Sequence, residues 1–235
     1  MSLFKRVEGV FSAPRQIFEA LAEKPVWVDV LIIILAALIA HSLLVAPYAQ
    51  KDQLELMRDN VKLRERMGDD AFERMIANME NPSPGRLILQ TFVIMPLFAF
   101  AALLIQALFL IVLGRFVSTH GRYVQVLAAL VHASLIDKVL GNAVRLAVAL
   151  TRKSVMQTST NLALLFPKME VTSTAYAVLG QVDLFQLWMF GILAFGLSAI
   201  FKIDLKKALV LSYGLWLLKA LINILLAVIG MSFLR

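Results

Sequence analysis

The chain has 235 residues, of which 60% are hydrophobic and 17% are charged, and its mean hydropathy is +0.80. An average soluble domain is about 45–50% apolar and about 25% charged, so this composition indicates a membrane protein. The net charge of +7 fits basic loops that face anionic lipid headgroups. The sequence lacks a basic stripe with interleaved aromatic residues, so it does not indicate a nucleic acid partner. It also lacks cysteine, which excludes disulfides and thiolate chemistry.

The first 26 residues predict two short amphipathic helices. Ser12 and Pro14 separate them, because serine suits a helix cap and proline suits the first helical turn. We interpret them as helices that lie in the membrane interface on the cytoplasmic side, and the alternative is one helix packed on the cytoplasmic end of a bundle. The apolar run that follows is too long for the core of a secretory signal, which predicts an uncleaved first span.

Five apolar runs predict five transmembrane helices. About 20 apolar helical residues cross a bilayer core of about 30 Å, and each run is long enough. The predicted spans are 27–49, 87–114, 123–150, 182–201 and 208–232. The fold class is therefore all-α, a polytopic membrane protein with a five-transmembrane-helix bundle in a single membrane domain, 1–235.

Residues 50–86 form the longest charged strip and predict a helical hairpin. The first span extends into it as one helix, Gly68 ends a helix, and Asn81–Gly85 ends the next. Its Met-rich side either packs on the bundle or receives a partner. The strip 151–181 has a short apolar insert, 162–167, that either dips into the membrane interface or covers the end of the bundle.

The distribution of lysine and arginine predicts the orientation. Bases are denser near the span ends on the side of the amino terminus, which favours a cytoplasmic amino terminus and an external carboxyl terminus. The charged hairpin and the strip 151–181 are then extracytoplasmic.

Polar residues inside the third and fifth runs are the candidate site. They are His132, Asp137, Lys138, Asn142, Arg145, Lys219 and Asn223. Charges at this depth cost several kcal/mol and usually pair inside the bundle, so we expect Asp137 to pair with Lys138 or Lys219. The cluster is either a structural pairing or a proton relay or anion-binding site.

Two further alternatives concern the third run. Arg145 lies near the outer end of the run, where its side chain could extend to the headgroups. The helix could also break at Gly141–Asn142 and leave the charges in a hydrated re-entrant pocket.

No catalytic motif is present, and we expect no enzyme activity, no cofactor and no metal site. His41 and His120 have no partners at metal-ligand spacing. Glycine-rich phosphate loops, nucleophile elbows and zinc-protease motifs are also missing from the sequence.

Several segments resemble the Yip family of Ypt/Rab-interacting membrane proteins, in particular its bacterial branch. The resemblance covers nearly the whole chain and rests on residues 11–19 (FSAPRQIFE), 23–27 (EKPVW), the helix-glycine-helix strip 67–79, 160–167 (TNLALLFP), 183–188 (DLFQLW), Lys207-Ala208 and Trp216. The Asp137-Lys138 pair departs from the more apolar third span that this family leads us to expect.

The resemblance implies a five-span bundle with a cytoplasmic amino terminus in a bacterial inner membrane. Eukaryotic relatives bind small GTPases, whereas bacterial relatives mostly lack an assigned activity and some are linked to ABC-type export. Our leading hypothesis is a non-enzymatic scaffold or accessory factor for other integral membrane proteins, such as a transport or export complex. The alternative is a small transporter or a lipid- or anion-handling protein that uses the polar cluster. The lipid bilayer is a partner in either case, and the sequence leaves open whether the chain forms a homo-oligomer.

Overall fold

The computed structural model describes residues 1–156, 160–166, 168–171 and 173–234, with side chains up to residue 230. These residues contain no β-strand, and five of their helices are long and apolar enough to cross a membrane. The spanning helices are Val28–Arg58, Pro84–Arg115, Tyr123–Arg152, Leu184–Phe201 and Leu205–Leu234. The predicted all-α polytopic membrane fold is confirmed.

The bundle has two ends, and the chain alternates between them. We call the end at which the first spanning helix starts the entry end. The connection between the second and third spans and the connection between the fourth and fifth spans lie at the same end. The opposite end carries the charged hairpin between the first two spans, and we call it the hairpin end. The connections at the entry end are short. In the connection between the fourth and fifth spans, the backbone N–H of Lys207 donates to the Asp204 carboxylate, and this hydrogen bond holds the pKa of Asp204 below its usual value.

The third spanning helix is the centre of the bundle. In its most apolar stretch 72% of the residues are buried, against 22% in the first, second and fifth helices. Every residue from Val126 to Asp137 is buried. The third helix is also the least apolar of the five spans, and polar side chains inside a membrane usually face the interior of a bundle, so a central position is expected for this helix.

Two short helices precede the first span, α1 (Leu3–Ser12) and α2 (Pro14–Glu23). They pack against each other so closely that the Ile17 side chain occupies the space a Cβ on Gly9 would need. Their buried apolar face consists of Val10, Ile17, Phe18 and Leu21. We refer to α1 and α2 together as the amino-terminal pair.

The amino-terminal pair runs along the side of the fourth spanning helix. At the entry end the Gln125 side chain donates to the backbone carbonyl of Ala22, and further along Phe18 packs where a Cβ on Gly196 would lie. At the far tip, the rings of Phe11 and Trp188 meet edge to face with centroids 6.2 Å apart. The fourth helix ends at Phe201 at the entry end, 13 residues after Trp188, so Trp188 lies about 20 Å along the helix from that end.

The prediction of two separate helices agrees with the structure, but their expected position flat in the membrane interface does not. The apolar face packs against protein, because Gly196 and Ala129 leave a groove that admits the Phe18 ring. The alternative of a single helix on the end of the bundle is also wrong, since α1 ends at Ser12 and α2 starts at Pro14.

The charged hairpin has the predicted form. The first spanning helix continues to Arg58, and two helices follow, Val61–Met67 and Asp69–Glu80. Gly68 between them has a positive φ of 78°, a conformation that favours glycine. Phe72 and Ile76 are buried, and Gln50 donates to the backbone carbonyls of Met79 and Glu80, so the hairpin packs back on the first helix.

The segment between the third and fourth spans is attached to the first helix by Asp52. This buried carboxylate accepts hydrogen bonds from the Ser154 hydroxyl at 2.7 Å and from the backbone N–H groups of Val155 and Met156. The apolar insert forms a short 3₁₀ turn, Leu162–Leu165, with Ala163 buried, while its Pro167 lies outside the described residues. This role of Asp52 leaves no pattern in the sequence, where Asp52 is one acid among many in a charged strip.

The third spanning helix does not break at Gly141–Asn142. Residues Ile136–Gly141 instead form a π-helical turn, and the chain stays helical from Tyr123 to Arg152. A π-turn inserts one extra residue without ending the helix. The re-entrant alternative is therefore wrong.

We expect Gly196→Ala to destabilise the bundle. A Cβ at this position would lie 2.8 Å from the Ala129 Cβ and 2.9 Å from the Phe18 ring, so the amino-terminal pair or the third helix must move. Overpacking of this kind costs about 1–3 kcal/mol. Thermal unfolding in detergent measures the effect.

Gly214→Ala is the matched control, because a Cβ there meets nothing within 4 Å and alanine favours the helix. Its melting temperature should equal or exceed that of the unmodified protein. Equal destabilisation by both substitutions would contradict the close packing at Gly196.

Candidate functional site

Arg145 is the central residue of a polar site at the hairpin end of the bundle. Its Nη2 atom lies 2.8 Å from Oδ1 of Asp137 and 2.9 Å from Oδ1 of Asp183. Its Nη1 atom donates to the Asn142 side chain at 2.9 Å, and its Nε donates to the Thr160 hydroxyl. The side chain is only 16% exposed and turns inward, so it does not extend to the headgroups.

Asp183 holds the start of the fourth spanning helix. Its Oδ1 accepts from the backbone N–H groups of Phe185 and Gln186, and its Oδ2 accepts from the Thr160 hydroxyl at 2.6 Å. An aspartate at an N-cap satisfies free N–H groups and its charge is favourable at the positive end of the helix. Asp183 is therefore a cap and a counter-ion to Arg145, and it was not among the predicted site residues.

Asp137 is shared by two cations of its own helix. Its carboxylate lies 2.8 Å from Nζ of Lys138 as well as 2.8 Å from Arg145, and it is 2% exposed. The expected pair of Asp137 with Lys138 is thus present. The main partner that sequence reasoning missed is Arg145.

The π-turn explains why the Asp137–Arg145 pair was missed. On a regular helix, residues seven apart share a face and residues eight apart lie about 80° away from each other. The extra residue of the π-turn brings positions eight apart into register. The backbone carbonyl of Asp137 accepts a further hydrogen bond from Arg145.

Lys219 of the fifth helix does not pair with Asp137. Its Nζ donates to Oε1 of Gln186 at 2.7 Å, and one turn later Asn223 donates to the side chain of Gln181. The alternative pairing of Asp137 with Lys219 is therefore wrong. The aspartate is already occupied by two closer cations, and the fourth helix presents Gln186 to the lysine instead.

His132 belongs to a second polar group, nearer the entry end. It is fully buried, and its Nδ1 lies 2.8 Å from the backbone carbonyl of Ala128. The charges that act on it are Arg6 of α1 and Asp29 of the first helix, which form an ion pair with each other. The structure thus separates His132 from the other predicted residues.

His41 of the first spanning helix also lies at the site, although no spacing pattern in the sequence pointed to it. Its imidazole lies beside the backbone of Asn142 and within electrostatic range of Arg145. Its position in the middle of an apolar span could have indicated this placement, since a polar side chain there usually faces the interior of the bundle.

The site consists of three cations and two carboxylates. Arg145 has both of its charge partners within the protein, and both carboxylates are saturated with donors. No group of three or more histidine or acidic residues in the described part of the chain could hold a metal ion. This chemistry is suited to fixing helices and to binding an anion.

Together, the fold and the site define a polytopic α-helical membrane protein whose buried charges are paired mainly within its own chain. The family model for the Yip1 domain matches residues 9–227. The chain therefore belongs to the Yip1 domain family. No curated protein and no solved structure matches the chain.

A double-mutant cycle should assign the counter-ion of Asp137. We expect Asp137→Asn to cost about 3 kcal/mol, because it leaves buried cations without their partner. Combining it with Arg145→Gln should give a coupling energy above about 1 kcal/mol, whereas combining it with Lys219→Gln should be nearly additive. Unfolding in detergent measures each variant, and strong coupling to Lys219 instead of Arg145 would refute this arrangement.

Proposed function

We propose that this protein is a non-enzymatic accessory or scaffold factor for other integral membrane proteins, such as a transport or export complex. The observation that carries the proposal is the exposed polar face of the amino-terminal pair. On this face Arg15 and Glu19 form an i,i+4 ion pair at 3.0 Å, and their side chains are 81% and 55% exposed.

The position of this face supports a protein partner. Arg15 lies in sequence between Phe11, which touches Trp188, and Phe18, which packs at Gly196. The Arg15–Glu19 pair is therefore beside the spanning helices and not beyond their end. Lipid chains cannot solvate charges at this level, and the cost is several kcal/mol for each charged side chain.

A polar surface on a second membrane protein removes this cost. The face also offers Lys5, Glu8 and Gln16, so it can form hydrogen bonds and ion pairs with a partner helix that carries both signs of charge. Its mixture of charges fits a specific protein contact better than an anionic lipid surface. A second copy of the chain is an outcome that the same experiment detects.

We place the protein in a bacterial inner membrane with its amino terminus in the cytoplasm. The dense bases near the entry end, which include Lys202, Lys206 and Lys207, support this orientation. The charged hairpin is then on the outside.

A second candidate function is anion or lipid handling at the polar site. The observation in its favour is the excess of one positive charge among Lys138, Arg145, Lys219, Asp137 and Asp183. The saturated bonding of Arg145 opposes a role for that residue in transport, so this function would depend on the lysines.

Photo-crosslinking in intact membranes tests the accessory function. A photoreactive residue at Gln16, on the polar face, should give one discrete adduct with a membrane protein, because a partner covers this face. Mass spectrometry of the adduct identifies the partner. The same residue at Leu225, which is 59% exposed and faces lipid, is the control and should give no discrete adduct.

Arg15→Ala combined with Glu19→Ala should lower the Gln16 adduct at least several-fold while the protein level stays the same. An adduct between two copies of this chain would show that the partner on this face is a second copy and not a different membrane protein. Crosslinks only to lipid at Gln16 would refute the scaffold proposal.

Cysteine labelling tests the orientation, because the natural chain has no cysteine. Ser83→Cys at the hairpin end should react with a membrane-impermeant maleimide in spheroplasts, whereas Lys206→Cys should react only after the membrane is opened. Both positions are exposed. The reverse labelling pattern would overturn the proposed orientation.

A further inference from the structure

Lys219 is a charged residue of the polar site that has no balancing acid among the described residues. Within the described residues it forms no ion pair, and its ammonium group donates to the neutral Gln186 side chain. An ammonium group has three donors, so two remain for another acceptor. Asp137 and Asp183 lie within electrostatic range, but their oxygens are occupied by Arg145, Lys138, Thr160 and backbone N–H groups.

Lys138 adds a second cation on the same side. It acts electrostatically on Lys219, and its side chain is 39% exposed although it is paired with Asp137. Two ammonium groups thus share one neighbourhood, and one of the two is reached from outside the bundle. Asp137 offsets only part of this positive charge, because it is also paired with Arg145, so a further anion beside the two ammonium groups would lower their repulsion.

The depth of Lys219 indicates where such an anion comes from. The residue lies 14 positions after Leu205, about 21 Å from the entry end of its helix, and its partner Gln186 lies three positions after Asp183, which caps the fourth helix at the hairpin end. Gln186, and with it the ammonium group that it binds, is therefore about 5 Å from the hairpin end of the fourth helix. A lysine side chain extends several ångströms toward that surface, where the abundant anion is a lipid phosphate.

We propose that Lys219 and Lys138 bind the phosphate group of an anionic phospholipid from the leaflet at the hairpin end. Asn223, one turn closer to that leaflet, and the neighbouring Gln186 line the site with amide groups. Basic pockets between spanning helices are a general mode of lipid headgroup recognition. The inference gives the second candidate function a ligand, and the accessory function does not depend on it.

Lipid titration of the purified full-length protein in a nonionic detergent tests the site. Phosphatidylglycerol should raise the melting temperature by several degrees, because a ligand that binds only the folded state stabilises it. Phosphatidylcholine and inorganic phosphate should not. Lys219→Gln should weaken the apparent affinity for phosphatidylglycerol about tenfold or more, the loss expected for one charge-assisted hydrogen bond.

Two controls separate binding from folding. Lys206→Gln removes an exposed lysine at the entry end and should keep the full lipid response. Without lipid, Lys219→Gln should melt at or above the temperature of the unmodified protein, because it removes an unbalanced, half-buried charge and keeps a side chain that can bond to Gln186. If it does not fold, Lys138→Gln takes its place and should show the same loss of affinity.

Three outcomes would overturn the proposal. They are an unchanged phosphatidylglycerol affinity in the lysine variant, an equal response to phosphatidylcholine, and a full response to inorganic phosphate, which would assign the site to a soluble anion. The purified protein contains no partner, so none of these results bears on crosslinking at Gln16. The two proposals therefore fail independently.

Discussion

The arrangement of the hairpin end depends on Arg145, because a guanidinium inside a spanning helix has to find its counter-ions within the protein. One of them, Asp137, is in the same helix, and the other, Asp183, caps the next spanning helix. Thr160 ties the intervening segment to Arg145 and Asp183, because its hydroxyl accepts from the Arg145 Nε and donates to the Asp183 carboxylate. A single cation therefore fixes where the chain enters the membrane for the fourth time and how the third and fourth helices meet.

Such a network adds more to specificity than to stability. Removing two charges from water costs about as much as their attraction returns, so a buried ion pair is weak evidence for a stable fold. A shift of the fourth helix by one residue, however, would move Asp183 and leave Arg145 with one of its two charge partners. The π-turn belongs to the same arrangement, because without its extra residue Asp137 would point away from Arg145.

Most of the fold could be predicted from the sequence, since span length and apolarity are local properties that one segment displays by itself. The helix stop at Gly68 is equally local. The partners of Arg145 were not predictable, because a π-turn does not appear in a 3.6-residue pattern and Asp183 reads as an ordinary cap. The amino-terminal pair shows the same limit: its apolar face was visible, but the groove at Gly196 that receives Phe18 exists only after the helices assemble.

The difference between Arg145 and Lys219 also distinguishes structural polarity from binding polarity in this bundle. Arg145 has every charge partner supplied by the chain, so an external ligand would have to displace a carboxylate from it. Lys219 has one neutral acceptor, and a ligand would add bonds without breaking an ion pair. The same argument applies at the surface. Arg15 and Glu19 neutralise each other's charge, but both side chains are exposed and lack polar surroundings at this level of the membrane. Polar groups whose partners the chain does not complete are therefore where lipid and protein are expected to bind.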